Sequence, residues 1–197
     1  MLTNFYKLCK RLLNRSARKY YSKQLGSVGK NFNCFYDIDI VGGKYIAIGD
    51  DFIATQSVRL HAWKIDDLRT PVIKVGSDVT MTDHCYISCV NKIVIGNGVL
   101  FGSNCFITDN FHGNSSRVER DTIVTDRIIE SKGPVIIEDN VWIGRNSCIM
   151  PNVTVGRGAI IGANSVVTHD IPPYTTAVGA PAHILQEKND RKEGYSG

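Results

Sequence analysis

The stretch IEDNVW IGRNSC IMPNVT VGRGAI IGANSV V, residues 137–167, decides the fold. Written in sixes it never slips: Ile137, Ile143, Ile149, Val155, Ile161 and Val167 open successive hexads. Four places after each opening stands a small or branched residue, at Val141, Ser147, Val153, Ala159 and Ser165. Glycine follows the aliphatic at Gly144, Gly156 and Gly162. A helix needs a period of about 3.6 and a plain strand one of about 2, so neither accounts for a sustained six. Such a period marks a solenoid. Three hexads make one triangular coil of roughly 18 residues, and stacked coils share one shaft filled by the first-position aliphatics. The expected class is therefore all-β, a parallel β-helix with one face per hexad.

The same phrase recurs upstream as Ile48-Gly49, Val75-Gly76, Ile95-Gly96 and Phe101-Gly102, so coils are expected from about Ile38 to Val167. Asp66-Asp67-Leu68-Arg69 and Pro71 mark a small loop. The largest interruption is residues 114–133, where the hexad disappears and charge takes over before Pro134 re-enters the repeat. A long excursion from a rigid scaffold is usually functional or disordered. Ile171-Pro172-Pro173 is expected to stop the coils, because proline cannot donate to a ladder. Residues 2–20 read as an amphipathic helix. Leu2, Phe5, Tyr6, Cys9, Leu12, Leu13, Ala17 and Tyr20 share one arc, and Lys7, Lys10, Arg11, Arg15 and Arg18 the other. The chain thus divides into a basic helical segment (1–25), a coil domain (26–185) with an inserted loop at 114–133, and a polar tail (186–197).

Composition narrows the class. The hydrophobic share is 43%, ordinary for a globular chain, and no stretch approaches a membrane span or a secretory apolar core. Residues 1–25 hold seven basic and no acidic side chains, which leaves 16 basic against 19 acidic elsewhere. The coil body is mildly acidic, so nucleic-acid binding is not expected. The basic helix face offers either a docking surface on the body or a contact for anionic membrane. The six cysteines form no CxxC pair, and Cys85 and Cys105 fall on small-residue positions of hexads. Reduced structural thiols in the cytoplasm are the expectation.

Two residues close their hexads on an outward position, His112 and Trp142. Outward solenoid positions are normally polar, so an exposed Trp asks for a partner. A solvent-reachable imidazole beside a long loop is suited to general-base work, since histidine ordinarily titrates near neutrality. The other histidines, His61, His84, His169 and His183, are scattered and read as surface or structural. Of these, His84 stands next to Thr82 and Asp83.

The runs Val141-Trp142-Ile143-Gly144, Pro151-Asn152-Val153-Thr154-Val155-Gly156, Ile161-Gly162-Ala163-Asn164-Ser165-Val166-Val167-Thr168 and Gly179-Ala180-Pro181-Ala182 carry a resemblance. They resemble the hexapeptide-repeat acyltransferase family, and within it the maltose, galactoside and lipopolysaccharide O-acetyltransferases. The likeness is dense from about Ile93 to Leu185, weaker from Ile38 to Asn91, and absent in the first 25 residues. It implies a left-handed coil, against the usual right-handed crossover, and a homotrimer with active sites between subunits. It also implies acetyl-CoA as co-substrate, no metal, and a sugar or oligosaccharide acceptor in bacterial surface-polysaccharide biosynthesis. His112 matches the catalytic histidine. Trp142 would line the site near it, and a main-chain amide near Gly144 and Arg145 would hold the oxyanion. Gly144, Ala163, Thr168, Ala180 and Pro181 match coenzyme-contacting positions. Thr82, Asp83, His84, Asn91 and Asn110 stand on the acceptor side.

This chain departs from the family at His183, where close relatives carry arginine, and at Gln186, a nearby basic position. Thr82 replaces an acceptor-side asparagine, and Asn110 the first of two histidines. The alternatives left open are amino-sugar N-acetylation, antibiotic modification, a hydratase of the carbonic anhydrase type and a non-catalytic scaffold. The hydratase needs three converging histidines, yet His84 and His112 have no histidine between them.

Overall fold

The computed structural model describes residues 2–113 and 116–185, the first six of these by backbone alone. The expectations for Gln186, for the 186–197 tail and for residues 114 and 115 lie outside the described residues. A 20-residue helix α1 (Leu2–Tyr21) comes first, and the chain then visits three sheets in strict rotation. The first sheet stacks Ser27–Val28, Ile46–Ile48, Val72–Val75, Lys92–Ile95, Val135–Ile137 and Thr154–Val155. The second runs from Asn33–Cys34 through Ile53–Ala54, Thr80–Met81, Leu100–Phe101, Trp142–Ile143 and Ile160–Ile161 to Thr176–Gly179. The third stacks Asp39–Val41, Arg59–Ala62, Tyr86–Cys89, Phe106–Thr108, Cys148–Ile149 and Val166–Val167. All these pairings are parallel, which gives a three-sided coil of β-helix type.

The hexad explains the stacking. Ile137 pairs with Val155, Trp142 with Ile160 and Cys148 with Val166, each offset by one turn of three hexads. First-position residues Ile95, Ile137, Ile143, Ile149, Val155 and Ile161 are buried along one shaft. Burying one such side chain contributes about 1.5–3 kcal/mol, which the repeat multiplies along the stack. The small fifth positions also face inward. Where they are polar they are satisfied: the Ser147 and Ser165 hydroxyls both donate to the Gly162 carbonyl, at 3.0 and 2.7 Å. The corners need left-handed backbone, which short amides tolerate best. Asn104, Asn146 and Asn164 adopt it (φ 61, 58 and 60°) and join side chain to side chain in a ladder at 3.1 and 3.0 Å.

Three differences from the expected organisation have local causes. Coils begin at Ser27 rather than near Ile38, because Val28, Cys34 and Ile40 already keep the six-residue spacing. Pro172 and Pro173 do not end the stack. They occupy a corner where no ladder donor is required, while Ile171 bridges Val155 and Thr176–Gly179 extends the second sheet. The reversal comes later, where Ala182–Ile184 pairs antiparallel with Thr176–Gly179.

Helix α1 docks by its C-terminal half on the first coil. Ala17 is buried, Arg18 donates to the Asn33 side chain at 2.9 Å, and the Tyr21 hydroxyl donates to the Ile38 carbonyl at 2.8 Å. Leu8, Leu12, Leu13 and Tyr20 stay exposed beside the basic residues. No helix among the described residues is long and apolar enough to cross a membrane.

All six cysteines are free, and Cys34, Cys85, Cys89 and Cys105 are buried. Burial pushes the Cys34 thiol up to about 11 and raises Cys89, and a hydrogen bond with Cys105 and then burial raise Cys85. A raised thiol is protonated at neutral pH and unreactive. Because burial shuts Cys34, Cys85, Cys89 and Cys105 away from reagent, Ellman's reagent on the native protein is expected to titrate no more than Cys9 and Cys148 rapidly, and all six after unfolding in guanidinium. Rapid modification of Cys34 in the native state would contradict this packing.

Candidate active site

The fourth coil ends in an unusual corner. After Phe106–Thr108 the chain buries the Asp109 carboxylate completely and turns outward. The Asp109 carboxylate accepts the backbone N–H groups of Val90, Asn91 and Lys92 at 2.9, 2.9 and 2.7 Å. It also accepts the Cys89 thiol and the Asn110 side-chain amide, at 3.3 and 3.1 Å. One carboxylate thereby fixes the corner of the coil beneath and the first residue of the site. Asn110 further donates to the Ser88 carbonyl at 2.9 Å. The sequence reading did not single out Asp109. The signal available was an acid directly after the strand Phe106–Thr108.

His112 lies two residues beyond Asn110, exposed, on the short strand Phe111–His112. This strand pairs antiparallel with Ile129–Glu130, so the long excursion folds back and clamps the histidine's backbone. Between them the excursion forms a short helix α2 (Arg117–Asp121), capped by the Ser116 hydroxyl accepting from the Glu119 N–H. Gly113 turns the chain with φ +70°, and a Cβ there would meet Glu119 and Arg127 within 3 Å. Lys132 lies 5.3 Å over the Phe111 ring, and Asn91 donates to the Ser131 hydroxyl at 3.3 Å. The described part of the interruption, residues 116–133, is thus a structured flap.

A cavity of about 340 Å³ opens beside His112. Trp63, Ile65, Tyr86, Ser88, Val90, Asn110, His112 and Ile129 line it. Its walls combine two aromatic rings with a few polar groups, the usual make-up of a small-molecule site. The structure brings His112 and Asn110 together here, and Asn91 binds the flap just behind. Sequence reasoning missed Trp63, Tyr86 and Ser88, which come from two lower coils.

The remaining expected site residues lie elsewhere in the protomer. Thr82, Asp83 and His84 form the corner between the second and third sheets. His84 holds the left-handed corner position (φ 61°). The Thr55 hydroxyl and then the Gln56 N–H donate to Asp83 and lower its pKa. These three therefore serve the turn of their coil and do not line the cavity at His112. Trp142 stands on the second sheet, 52% exposed, between Leu100 and Ile160, so within one protomer it does not pack beside His112.

Gly144 follows Trp142 and lies under Ala163. A Cβ on Gly144 would fall 2.5 Å from the Ala163 nitrogen, so the next coil demands glycine. The Gly144 N–H donates to the Ile161 carbonyl at 2.7 Å and is spent on the ladder, which leaves it unsuited to hold an oxyanion. Arg145 is exposed at that same corner, and Ala180 and Pro181 sit at the turn above the second sheet. Thr168 follows the third sheet, at a different corner, with its hydroxyl 2.9 Å from His169 Nδ1. His183 pairs with Val178 in the reversed strand. Among the described residues no three His, Cys, Asp or Glu side chains group as metal ligands.

Comparison with known proteins places this geometry. Residues 134–169 match the model described as bacterial transferase hexapeptide (six repeats). A protein of Escherichia coli K12 named as the lipopolysaccharide biosynthesis O-acetyl transferase WbbJ is 34% identical over 148 residues, spanning 73% of this chain and 72% of that one. The chain belongs to the hexapeptide-repeat acetyltransferases. This acetyltransferase also matches a solved galactoside acetyltransferase in complex with coenzyme A, at 27% identity and TM-score 0.56, over 91% of this chain and 74% of that one. AntD, an N-acyltransferase from Bacillus cereus solved with dTDP and 3-hydroxybutyryl-CoA, shares the fold at TM-score 0.70 and 19% identity, over 85% and 86% of the two chains.

Proposed function

We propose that this acetyltransferase moves the acetyl group of acetyl-CoA to a hydroxyl of a sugar acceptor, as a step in building a bacterial surface polysaccharide or oligosaccharide. The observation that carries the reading is His112, exposed at the mouth of an aromatic-walled cavity and held by the flap strand. Its imidazole takes the proton of the acceptor hydroxyl as that oxygen attacks the thioester carbonyl. The C–S bond then breaks, and the imidazolium returns its proton to the departing thiolate. With the Gly144 amide committed to the coil, the oxyanion donor is assigned to the Arg145 amide. The pantetheine arm would run along the corner of small residues at Gly144 and Ala163 towards Ala180 and Pro181, with Thr168 outside this line. The coil itself is read as left-handed, and residues 26–185 as the catalytic unit.

A homotrimer completes the site in this reading. Outward residues Leu100, Trp142 and Ile160 form an exposed apolar column on the second sheet, in register from coil to coil, with Ile53 set apart beyond Thr80. An apolar stripe of this kind fits a subunit interface. Burying it against a neighbour would carry Trp142 towards the neighbour's cavity. The exposed leucines and basic residues of α1 fit a peripheral contact with anionic membrane on the cytoplasmic side.

The deciding experiment is release of free CoA across a panel of glycosides, amino sugars and aminoglycosides, with the acetylated position fixed by NMR. Acetyl esters of sugars are the expected products. Transfer to amines alone would overturn the O-acetyl assignment, and no transfer at all would leave the scaffold reading. Light scattering should give three chain masses, and sedimentation with anionic vesicles should be lost at high salt. A monomeric active species would sink the shared site.

A further inference from the structure

Beneath the cavity lies a hydrogen-bonded chain of three side chains from three successive coils. His61, 8% exposed on the outer side of the third sheet, places Nε2 at 2.9 Å from Asp39 Oδ2 and Nδ1 at 3.2 Å from the Tyr86 hydroxyl. The same imidazole meets both aromatic walls edge-on, Trp63 at 5.1 Å and 84°, Tyr86 at 5.0 Å and 73°. Tyr86 in turn packs on Phe106 at 5.4 Å. Its ring has little freedom, and Tyr86 lines the cavity that holds His112.

The chain has a direction. An ionised carboxylate only accepts hydrogen bonds, so Asp39 requires the proton of His61 on Nε2. With the ring neutral, Nδ1 is bare and only accepts. The Tyr86 hydroxyl must spend its single proton on Nδ1, and its oxygen lone pairs remain for a ligand. Building on the sugar-acceptor reading above, we infer that Asp39 and His61 fix the Tyr86 hydroxyl as a hydrogen-bond acceptor for a second hydroxyl of the sugar, beside the one that His112 deprotonates. Tyr86 is thus a specificity residue, and Asp39 and His61 are positioning residues. The acceptor substrate needs a hydroxyl at that place. An ether or fluorine there can only accept, and meets lone pairs. Trp63, held square to His61, offers a flat face on which the apolar side of the ring rests.

The test uses the methyl glycopyranoside with the highest kcat/KM in the panel, together with its monodeoxyfluoro analogues. Tyr86→Phe keeps the ring and its packing and removes one oxygen. It is expected to raise the acceptor KM by about three- to tenfold, the worth of one net hydrogen bond, with kcat and the KM for acetyl-CoA within about twofold. One fluoro analogue should be penalised in the wild type and no longer penalised in Tyr86→Phe. Asp39→Leu removes the acceptor that holds the ring proton on Nε2 and leaves the proton free to move to Nδ1, where the Tyr86 oxygen accepts it. Nitrogen-15 NMR of His61 should therefore show a bare Nδ1 in the wild type and a larger protonated share at Nδ1 in Asp39→Leu, with or without acceptor. A protonated Nδ1 in the wild type, or equal fluoro penalties in wild type and Tyr86→Phe, would overturn this inference and leave O-acetyl transfer standing. If the wild type acetylates no glycoside, the sugar-acceptor reading falls and takes this inference with it.

Discussion

Replacing His112 with alanine is expected to lower kcat by about 10²–10⁴-fold while acetyl-CoA binding stays nearly unchanged. The loss corresponds to roughly 3–5 kcal/mol of transition-state stabilisation. The imidazole acts only as the acceptor hydroxyl gives up its proton, so its removal should register in kcat far more than in the KM for acetyl-CoA. The fold should survive the change. The side chain is exposed, and the strand pairing with Ile129–Glu130 is made by backbone groups. His112→Asn keeps polarity and approximate size without the base and should fall equally far. Steady-state kinetics with the best acceptor of the panel decides. A variant retaining more than about a tenth of the wild-type kcat would remove His112 from the general-base role.

Asp109→Ala should produce the largest loss of stability of any single polar substitution near the site. The carboxylate is fully buried and its two oxygens accept three backbone N–H groups, a thiol and a side-chain amide. Alanine would leave the Val90, Asn91 and Lys92 N–H groups without their acceptor, the first of them buried. At about 1–3 kcal/mol for each orphaned group, the expected cost is roughly 3–6 kcal/mol. Asp109→Asn should be little better, because an NH₂ in place of either oxygen sets donor against donor. Urea unfolding measures both, and a loss below about 1 kcal/mol in Asp109→Ala would show that the corner is held by other means. Where the variant still folds, Asn110 loses one of its anchors and acceptor turnover should fall as well.

The coil was legible in the sequence because its determinant is local and repeated. Ile137, Ile143 and Ile149 each need only to recur at the right spacing to fill the shaft. The start of the stack was missed although Val28-Gly29 already carries the aliphatic-glycine phrase and Cys34 and Ile40 keep step. Pro172 and Pro173 misled because a proline at a corner and a proline in a ladder look alike in one dimension. His112 stood out by its outward position and by resemblance, whereas its surroundings did not. The partners of His61 lie 22 and 25 residues away, one coil below and one above, and nothing in the spacing of Asp39, His61 and Tyr86 advertises contact. The same holds for Asp109, whose donors sit a coil beneath it. Sequence periodicity reports what faces the shaft. The functional groups face outward, where their neighbours are set by the stacking itself.

The second sheet is closed at both ends, by α1 lying against its first strand and by the reversed Ala182–Ile184 at its last. A rod of constant pitch with open ends is a template for its own elongation, since the terminal strand of one particle can seed the first strand of the next. The helix and the hairpin act as stops. They make the particle finite and leave the sides of the rod as the faces on which the proposed trimer would form. One end is plugged by a helix that still carries an unspent apolar edge. The same twenty residues that stop the rod from growing can therefore also hold it against another surface.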